Sequence, residues 1–113
     1  PDLPALFAND DELAAQLLAG GEAVEDPLWR LPLWQPYRRL FRSDIADLNN
    51  NSDSGFAGAS VGALFIERFV PENTPWAHVD LYAWNPTARP GRPKGGAAMA
   101  IFACLHMLRQ RFG

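Results

Sequence analysis

The segment at residues 76–84, WAHVDLYAW, places the tightest limit on how this chain can fold. Its side chains alternate in character, and a strand directs alternate residues to opposite faces. One face would carry Ala77, Val79, Leu81 and Ala83, and the other would carry Trp76, His78, Asp80, Tyr82 and Trp84. Because both faces hold groups that are costly to expose, the pattern predicts an interior strand covered on both sides, as in an α/β sheet.

A helix is predicted near the start of the chain. Asn9 is the predicted N-cap, Asp10 and Asp11 would lie in the first turn, and Glu12 takes the capping-box position. The helix is expected to end before Pro27 and to have a solvated outer face.

Residues 57–70 predict a second helix. Its apolar residues at core spacing are Val61, Leu64, Phe65 and Phe69. The first half of this helix is rich in glycine, which lowers helix propensity by about 1 kcal/mol per residue. Close packing against another backbone is therefore expected to compensate.

A third helix is predicted to close the chain. Its apolar residues fall on one stripe, as in an amphipathic helix, and they are Ile101, Phe102, Leu105, Leu108 and Phe112. Arg109 and Arg111 lie in the last predicted turn, where a positive charge complements the helix dipole.

The segments between these elements are short or irregular. Residues 27–42 combine three prolines with aromatic side chains, which predicts an ordered connector packed on a larger body. Residues 43–49 alternate as a short strand would, residues 50–55 have the composition of a turn, and residues 85–96 predict an irregular surface loop. The resulting order is α/β, but two or three strands are few for a free-standing sheet. We therefore expect a piece of a larger sandwich.

The composition is that of a folded protein without a strong charge bias. Of the 113 residues, 48% are hydrophobic and 20% are charged, with a formal net charge of -3. This balance argues against nucleic acid or an anionic membrane as a partner, and no apolar run approaches the roughly 20 residues that cross a bilayer. The single cysteine, Cys104, fits a reducing cytoplasm. A start at Pro1 without methionine suggests a fragment or a trimmed product.

Few side chains are spaced for chemistry. His78 and Asp80 would share a strand face and could both bind a metal, but two ligands do not make a site, and a hydrogen-bonded histidine is the commoner arrangement. Asp44 and Asp47 could pair as acid and base or bind a hard cation. A capping acid followed by a solvated turn is the simpler interpretation of that pair. His106 is interpreted as a packing residue.

A basic loop precedes the last predicted helix. Arg89, Arg92 and Lys94 could receive a phosphate or a carboxylate, with Gly95 and Gly96 presenting free N–H groups where that helix opens. Such loops are also common on ordinary soluble proteins. The chain has neither a dinucleotide-binding fingerprint nor a G-x-S-x-G elbow. Spacing alone does not indicate an enzyme.

Five stretches of the chain carry motifs in a defined order. They are ALFANDDELAAQLLAGGE at 5–22, DPLWRLPLW at 26–34, SDIADLNN at 43–50, GFAGASVGALFIERFV at 55–70 and PWAHVDL at 75–81. Together they resemble the leucyl (cytosol) aminopeptidase family over nearly the whole chain. Each stretch alone is modest, but five in the right order make a chance match improbable.

The resemblance implies an α/β class, with this chain forming part of an α/β/α sandwich that has few strands and three to four helices. Residues 1–113 would be the C-terminal segment of the catalytic domain. It implies a cytoplasmic homo-hexamer that removes N-terminal residues such as Leu from peptides. Two divalent metal ions, Mn or Zn, would bind the substrate and activate a water. The family's N-T-D-A-E-G-R motif is not matched in this sequence. The segment is therefore expected to bind no metal, to hold no catalytic residue and to be inactive alone, with the metal ligands upstream.

Four residues of the substrate pocket follow from the same resemblance. Asn51 matches a position that walls the pocket beyond the scissile bond and is usually apolar. Tyr82, Ala83 and Trp84 take the place of the family's I-A-G stretch, which lines the pocket for the N-terminal side chain. Because the segment here is more aromatic, Tyr82 or Trp84 is expected to narrow that pocket.

A different class of function stays open at this point, namely a non-catalytic interaction or assembly module derived from the same fold. The small number of strands also predicts that the isolated chain exposes apolar surface which the rest of the sheet would cover. Such a chain should self-associate or bind a hydrophobic dye.

Overall fold

The computed structural model describes residues 3–41 and 58–113. Within these ranges the chain forms three α-helices, one 3-10 helix and five short strands. The mixture confirms the α/β class. The predicted strand at 43–49, the predicted turn at 50–55 and Asn51 lie outside the described residues.

Three of the strands form one sheet. Strand β1 (Ala5–Ala8) lies in the middle, with β2 (Trp29–Arg30) parallel to it on one side. Strand β3 (Ala77–Asp80) pairs with the other side of β1 in antiparallel orientation. In this register Leu6 lies opposite Val79 and Phe7 lies opposite His78.

The central strand β1 was not predicted from the sequence. Leu6 and Phe7 have no exposed surface at all, and full burial of such a side chain stabilises the fold by about 1.5–3 kcal/mol. The apolar run ALFA is only four residues long, which is too short to show a strand or helix period. Its role becomes visible only through its two neighbours in the sheet.

Helices cover both faces of the sheet. Leu6 belongs to a core that also includes residues of α1 (Asp11–Ala23) and of the last helix (Ile101–Phe112). Phe7 points to the opposite face because side chains alternate along a strand. The middle α-helix (Gly58–Glu67) contacts β1 and β3 and belongs to a separate cluster of buried residues. This layering confirms the expected α/β/α arrangement. The middle helix is α2 and the last helix is α3.

The strand predicted over 76–84 is shorter than expected and lies at an edge. Strand β3 has four residues and, within the described part of the chain, pairs only with β1. His78 and Val79 are half-buried, on opposite faces, whereas Leu81 and Tyr82 follow the strand and are exposed. The prediction of two covered faces is met at the centre of the segment, but the prediction of an interior strand is wrong for the described residues. The chain leaves the sheet after Asp80.

The start of α1 differs by one residue from the prediction. Asp10 is the N-cap, and its side chain accepts a hydrogen bond from the backbone N–H of Leu13 at 2.9 Å. Asn9 has another task, because its Oδ1 accepts from the N–H of Trp76 and its Nδ2 donates to the carbonyl of Thr74, both at 2.9 Å. Asn9 thus joins the end of β1 to the start of β3. The helix ends before Pro27, as predicted.

Helices α1 and α3 pack against each other at close range. A Cβ added to Gly20 would lie 2.9 Å from the carbonyl oxygen of Ala103, so only glycine allows this approach. Ala103 has no exposed surface, and Met107 is also buried in the same core. The contact explains why α1 tolerates a glycine that disfavours helix formation.

The apolar stripe of α3 does not face this core. Its five members are 41–75% exposed, and they are Ile101, Phe102, Leu105, Leu108 and Phe112. An amphipathic stripe ordinarily faces the core. Here the face that carries Ala103 packs against the core instead, because the absence of a side chain at Gly20 leaves room for it.

Helix α2 is shorter than predicted. Val61 and Leu64 are buried in a small cluster with Phe65 packed against them, as the spacing predicts. Phe69 is 68% exposed because the helix ends at Glu67, so its assignment to the core is wrong for the described residues. No described atom comes within 4 Å of a Cβ placed at Gly58 or Gly62. The close backbone neighbour predicted for this helix is therefore absent from the described part of the chain.

The connector after α1 is ordered but poorly covered. It contains β2 and the 3-10 helix Gln35–Phe41, which confirms that its regular elements are short. Trp29 and Trp34 are 57% and 54% exposed. The prediction that neighbours bury these aromatic side chains does not hold among the described residues.

Candidate functional site

The segment between β3 and α3 holds three of the four predicted pocket residues. Tyr82 and Trp84 are 57% and 45% exposed, and Ala83 between them is half-buried. Ala83 has a positive φ of 56°, a backbone conformation that non-glycine residues adopt rarely and mostly at turns. The turn separates Tyr82 from Trp84, so the two aromatic side chains do not continue the alternation of β3.

The loop predicted to be irregular contains a small sheet. Strand β4 (Trp84–Asn85) pairs in antiparallel orientation with β5 (Gly95–Gly96). The N–H of Ala97 then donates to the carbonyl of Ala83 at 3.0 Å. The loop is therefore folded back on itself. The prediction that Gly95 and Gly96 lie at the start of the last helix is wrong, because both belong to β5.

Within this loop, Arg89 and Arg92 face each other across a tight turn. The N–H of each residue donates to the carbonyl of the other, both at 2.8 Å. Gly91 at the turn has a φ of 71°, where glycine is strongly favoured. The two arginines are thereby placed opposite each other.

Asn85 holds the loop in place. It is 5% exposed, and its Nδ2 donates to the carbonyls of Arg92 at 2.9 Å and Pro93 at 2.8 Å. A buried amide that serves two backbone carbonyls in this way replaces the hydrogen bonds those carbonyls would make with water. Sequence reasoning missed this residue, although an Asn-Pro pair after a strand is a turn signal.

A cavity of about 340 Å³ lies inside the folded loop. Its walls are Trp84 and Asn85, the turn at 89–93 and residues 96–99. Trp84 lines this cavity, whereas Tyr82 and Ala83 do not. A second concavity of about 520 Å³ is also lined by Arg89 and Arg92.

The N–H groups at the start of α3 are already occupied. Asp26 accepts three hydrogen bonds from them, with Oδ1 bonded to the N–H of Ala100 at 3.0 Å and Oδ2 bonded to those of Phe102 at 3.0 Å and Ala103 at 3.1 Å. A carboxylate at this position also complements the helix dipole. The start of α3 therefore does not offer the anion site that Gly95 and Gly96 suggested.

Cys104 and His106, which the sequence analysis singled out, both lie on α3. Burial, followed by the negative charge of Asp26, raises the pKa of the Cys104 thiol above its ordinary value. His106 is half-buried where α3 meets α1; its Nδ1 would lie 3.4 Å from a Cβ at Gly20. Both residues are part of the helix packing.

The histidine and aspartate of β3 do not form a ligand set. His78 lies beside Phe7, with ring centroids 6.2 Å apart, and Asp80 is exposed. Among residues 3–41 and 58–113, no three His, Cys, Asp or Glu side chains come together in a way that could hold a metal ion. Asp44 and Asp47 fall outside the described residues. No helix in the described ranges is long and apolar enough to cross a membrane.

Comparison with known proteins connects this loop and sheet to one family. Residues 1–105 match the model of the cytosol aminopeptidase family, catalytic domain. A probable cytosol aminopeptidase of Roseiflexus castenholzii is 42% identical over 112 residues, which is 96% of this chain and 22% of that protein. The corresponding protein of Syntrophotalea carbinolica is 39% identical over 108 residues, which is 94% of this chain and 21% of that protein.

The fold is also similar to solved structures. The crystal structure of the cytosol aminopeptidase from Coxiella burnetii superposes with a TM-score of 0.94 at 52% identity, covering 100% of this chain and 25% of that one. The bottromycin maturation enzyme BotP in complex with Mn superposes with a TM-score of 0.90 at 35% identity, covering 97% of this chain and 25% of that one. The chain thus spans about a fifth to a quarter of the length of the relatives it matches.

Proposed function

This chain belongs to the cytosol aminopeptidase family, and we propose on that premise that it is the C-terminal segment of the catalytic domain of a metal-dependent aminopeptidase. The full-length enzyme removes N-terminal residues, Leu among them, from peptides. The observation that carries this proposal is the TM-score of 0.94 at 52% identity to a cytosol aminopeptidase over the whole chain. Identity at that level supports a shared activity as well as a shared fold.

The chemistry of the enzyme is supplied by two divalent metal ions, Mn or Zn, which polarise the scissile carbonyl and lower the pKa of the attacking water. That one relative was solved in complex with Mn supports this part of the proposal. The described residues do not provide a ligand set for either ion. The assignment of the metal ligands to other parts of the full-length protein is proposed from the family resemblance.

This segment contributes a wall of the substrate pocket. Trp84 and Tyr82 present exposed aromatic surface on either side of the turn at Ala83, and Trp84 lines a cavity. Such a wall binds the apolar part of an N-terminal side chain by excluding water from it. The proposal also includes Asn51, which the family resemblance assigns to the pocket beyond the scissile bond and which lies outside the described residues.

The full-length protein acts in the cytoplasm as a homo-hexamer. Apolar residues of α3 and of the connector are exposed in this segment, and the rest of the subunit or a neighbouring subunit would cover them. The hexameric state is part of the proposal and comes from the family resemblance.

The activity is tested with the full-length protein and the 113-residue chain on a chromogenic leucine substrate with added Mn. We expect the full-length protein to hydrolyse the substrate and to lose this activity in a chelator, while the shorter chain stays inactive. Hydrolysis by the shorter chain alone, stopped by the chelator, would contradict the assignment of the metal ligands to other parts of the protein. Full-length protein without any hydrolysis would favour a non-catalytic assembly module instead.

The pocket wall is tested by Trp84→Ala in the full-length enzyme. Loss of the wall should raise KM for leucine substrates more than for alanine substrates, because the larger side chain buries more apolar surface. Trp34→Ala, at an exposed tryptophan of the connector, is the matched control and should leave both KM values unchanged. An equal change of both KM values in Trp84→Ala would remove this residue from the pocket.

A further inference from the structure

We propose that the turn at residues 89–92 is a carboxylate clamp, in which Arg92 with Arg89 beside it binds a carboxylate of the peptide substrate inside the loop cavity. The proposal rests on the proposed function, since it names a substrate group for that enzyme. It adds a binding site that lies in the loop between β4 and β5.

The backbone of the turn places two like charges side by side. The reciprocal hydrogen bonds between Arg89 and Arg92 make them a directly opposed pair, and in such a pair the side chains leave the same face with Cβ atoms about 4.5–5.5 Å apart. Like charges in this position destabilise the pair. An anion bound beside Arg92 lowers that cost, because it brings an opposite charge to the pair.

The surroundings of the pair favour an anion. Both arginines line the cavity of about 340 Å³, and none of the described residues on its wall is acidic. The Arg92 side chain makes no hydrogen bond or ion pair with the described residues, whereas Arg89 already has a partner. Arg92 is therefore the principal ligand of the clamp, and Arg89 adds positive charge at the same mouth.

The second concavity does contain acids. Glu25 and Asp26 line it together with Arg89 and Arg92. The Asp26 carboxylate is held at the start of α3 by three N–H groups, and among the described residues neither Asp26 nor Glu25 forms an ion pair with Arg92. The negative charge of these two acids disfavours a second carboxylate in their concavity. The acid-free cavity is accordingly the side on which a ligand binds.

The backbone of the clamp is held in place before any ligand binds. Asn85 donates to the carbonyl of Arg92 itself and to that of Pro93, so the backbone that carries the guanidinium is fixed by a buried side chain. Preorganisation of this kind lowers the entropy cost of binding. A guanidinium matches a carboxylate through two parallel hydrogen bonds, and Trp84 supplies an apolar wall for the carbon chain next to it.

A peptide carries a carboxylate in two places, namely the side chain of an N-terminal Asp or Glu and the free C-terminus. The experiment separates them in the full-length enzyme with Mn. One arm compares glutamyl with leucyl chromogenic substrates, which have no terminal carboxylate. The other arm compares Leu-Gly with its C-terminal amide. Arg92→Gln and Arg92→Lys are tested in both arms, with Lys94→Gln as the matched control, since Lys94 belongs to the same loop but does not line the cavity.

Arg92→Gln should raise KM roughly tenfold or more for the substrate whose carboxylate is clamped, because a charge-assisted hydrogen bond is lost. The value of kcat should be unchanged for that substrate, and both kcat and KM should be unchanged for the neutral substrate compared with it. Arg92→Lys should have an intermediate KM, since an ammonium keeps the charge but not the fork. A selective effect on the glutamyl substrate assigns the clamp to the N-terminal side chain, and one on Leu-Gly assigns it to the C-terminus.

An equal effect of Arg92→Gln on all four substrates, or no effect on any, overturns the clamp. A direct binding measurement keeps this result separate from the proposed function. Glutarate should bind the wild-type protein in calorimetry and bind Arg92→Gln at least about tenfold more weakly. If no substrate is hydrolysed but this difference is found, the aminopeptidase assignment fails and the anion site stands. Equal binding of glutarate to both proteins overturns the clamp whatever the enzyme does.

Discussion

The carboxylate of Asp26 accepts a hydrogen bond from the backbone N–H of Ala103, 77 residues further along the chain, at a distance of 3.1 Å. The same oxygen accepts from Phe102, and the other oxygen accepts from Ala100. Helix α3 has no side-chain cap of its own, because its N-cap residue is an alanine in the left-handed conformation. A residue that follows α1 therefore caps α3, and this connection holds the two ends of the chain together.

Removal of the Asp26 cap should destabilise the protein. In Asp26→Asn one acceptor oxygen becomes an NH2 group that faces backbone N–H donors, so we expect a loss of about 1–2 kcal/mol in the free energy of unfolding. Urea unfolding of the full-length protein measures this loss. Glu25→Gln is the matched control, since the side chain of Glu25 is exposed, and it should stay within about 0.5 kcal/mol of wild type. Equal stability of the two variants would argue against the cap.

The glycines of α1 and α2 should respond oppositely to alanine. Gly20→Ala places a methyl group 2.9 Å from the Ala103 carbonyl, and the forced separation of α1 and α3 should cost about 1–3 kcal/mol. Gly62 has open space around it among the described residues, so Gly62→Ala should stabilise the 113-residue chain by up to about 1 kcal/mol through helix propensity. Thermal unfolding of both variants measures the difference.

The same Gly62→Ala substitution in the full-length protein tests the packing expected from the sequence of α2. If another backbone packs against that helix in the complete domain, the substitution should be destabilising there. A stabilising effect in both proteins would show that the helix face is open in each.

The Cys104 thiol should be slow to react at neutral pH. Burial and the charge of Asp26 raise its pKa, so the reactive thiolate is scarcer in the folded protein than in the unfolded one. This shift stabilises the fold below the ordinary thiol pKa of 9.0, and the stabilisation is lost as pH rises through the higher folded-state pKa. Alkylation by iodoacetamide, followed by mass spectrometry between pH 7 and 10, should be slower than in urea-unfolded protein. Asp26→Asn should increase the rate by removing the nearby charge, and an unchanged rate would exclude Asp26 as a cause.

The isolated 113-residue chain should bind a hydrophobic dye. The stripe of α3 includes Leu108 and Phe112, which are 46% and 75% exposed, and an exposed apolar patch of this kind promotes dye binding and self-association. The double substitution Leu108→Lys and Phe112→Lys should reduce dye fluorescence and shift sedimentation toward the monomer. As a control, Arg109→Lys and Gln110→Lys on the same helix should leave both unchanged. A monomeric wild-type chain without dye binding would contradict the prediction.

Local rules predicted the helices well and the sheet poorly. The end of α1 before Pro27 and the buried pair Val61 and Leu64 follow from spacing and from proline geometry, which act within a few residues. Strand β1 was not predicted because four residues are too few to show the hydrophobic periodicity of a strand. Its place in the sheet depends on partners that lie far along the chain. The assignment of Tyr82, Ala83 and Trp84 to a substrate pocket came from family resemblance and stays a prediction, and it did not include Asn85 or the arginine turn that line the loop cavity.

The sequence by itself determined the class of the fold, the positions of the three helices and the family to which the chain belongs, because these depend on residue order and short-range periodicity. Only the tertiary structure decided which face of each element is buried. Gly20 lets α3 pack through the face that carries its small side chains, so the apolar stripe faces outward. The N–H groups at the start of α3 belong to Ala100, Phe102 and Ala103 and are occupied by Asp26, although Gly95 and Gly96 were expected to present free N–H groups there. Both outcomes depend on contacts between residues more than 70 positions apart, which no local pattern encodes.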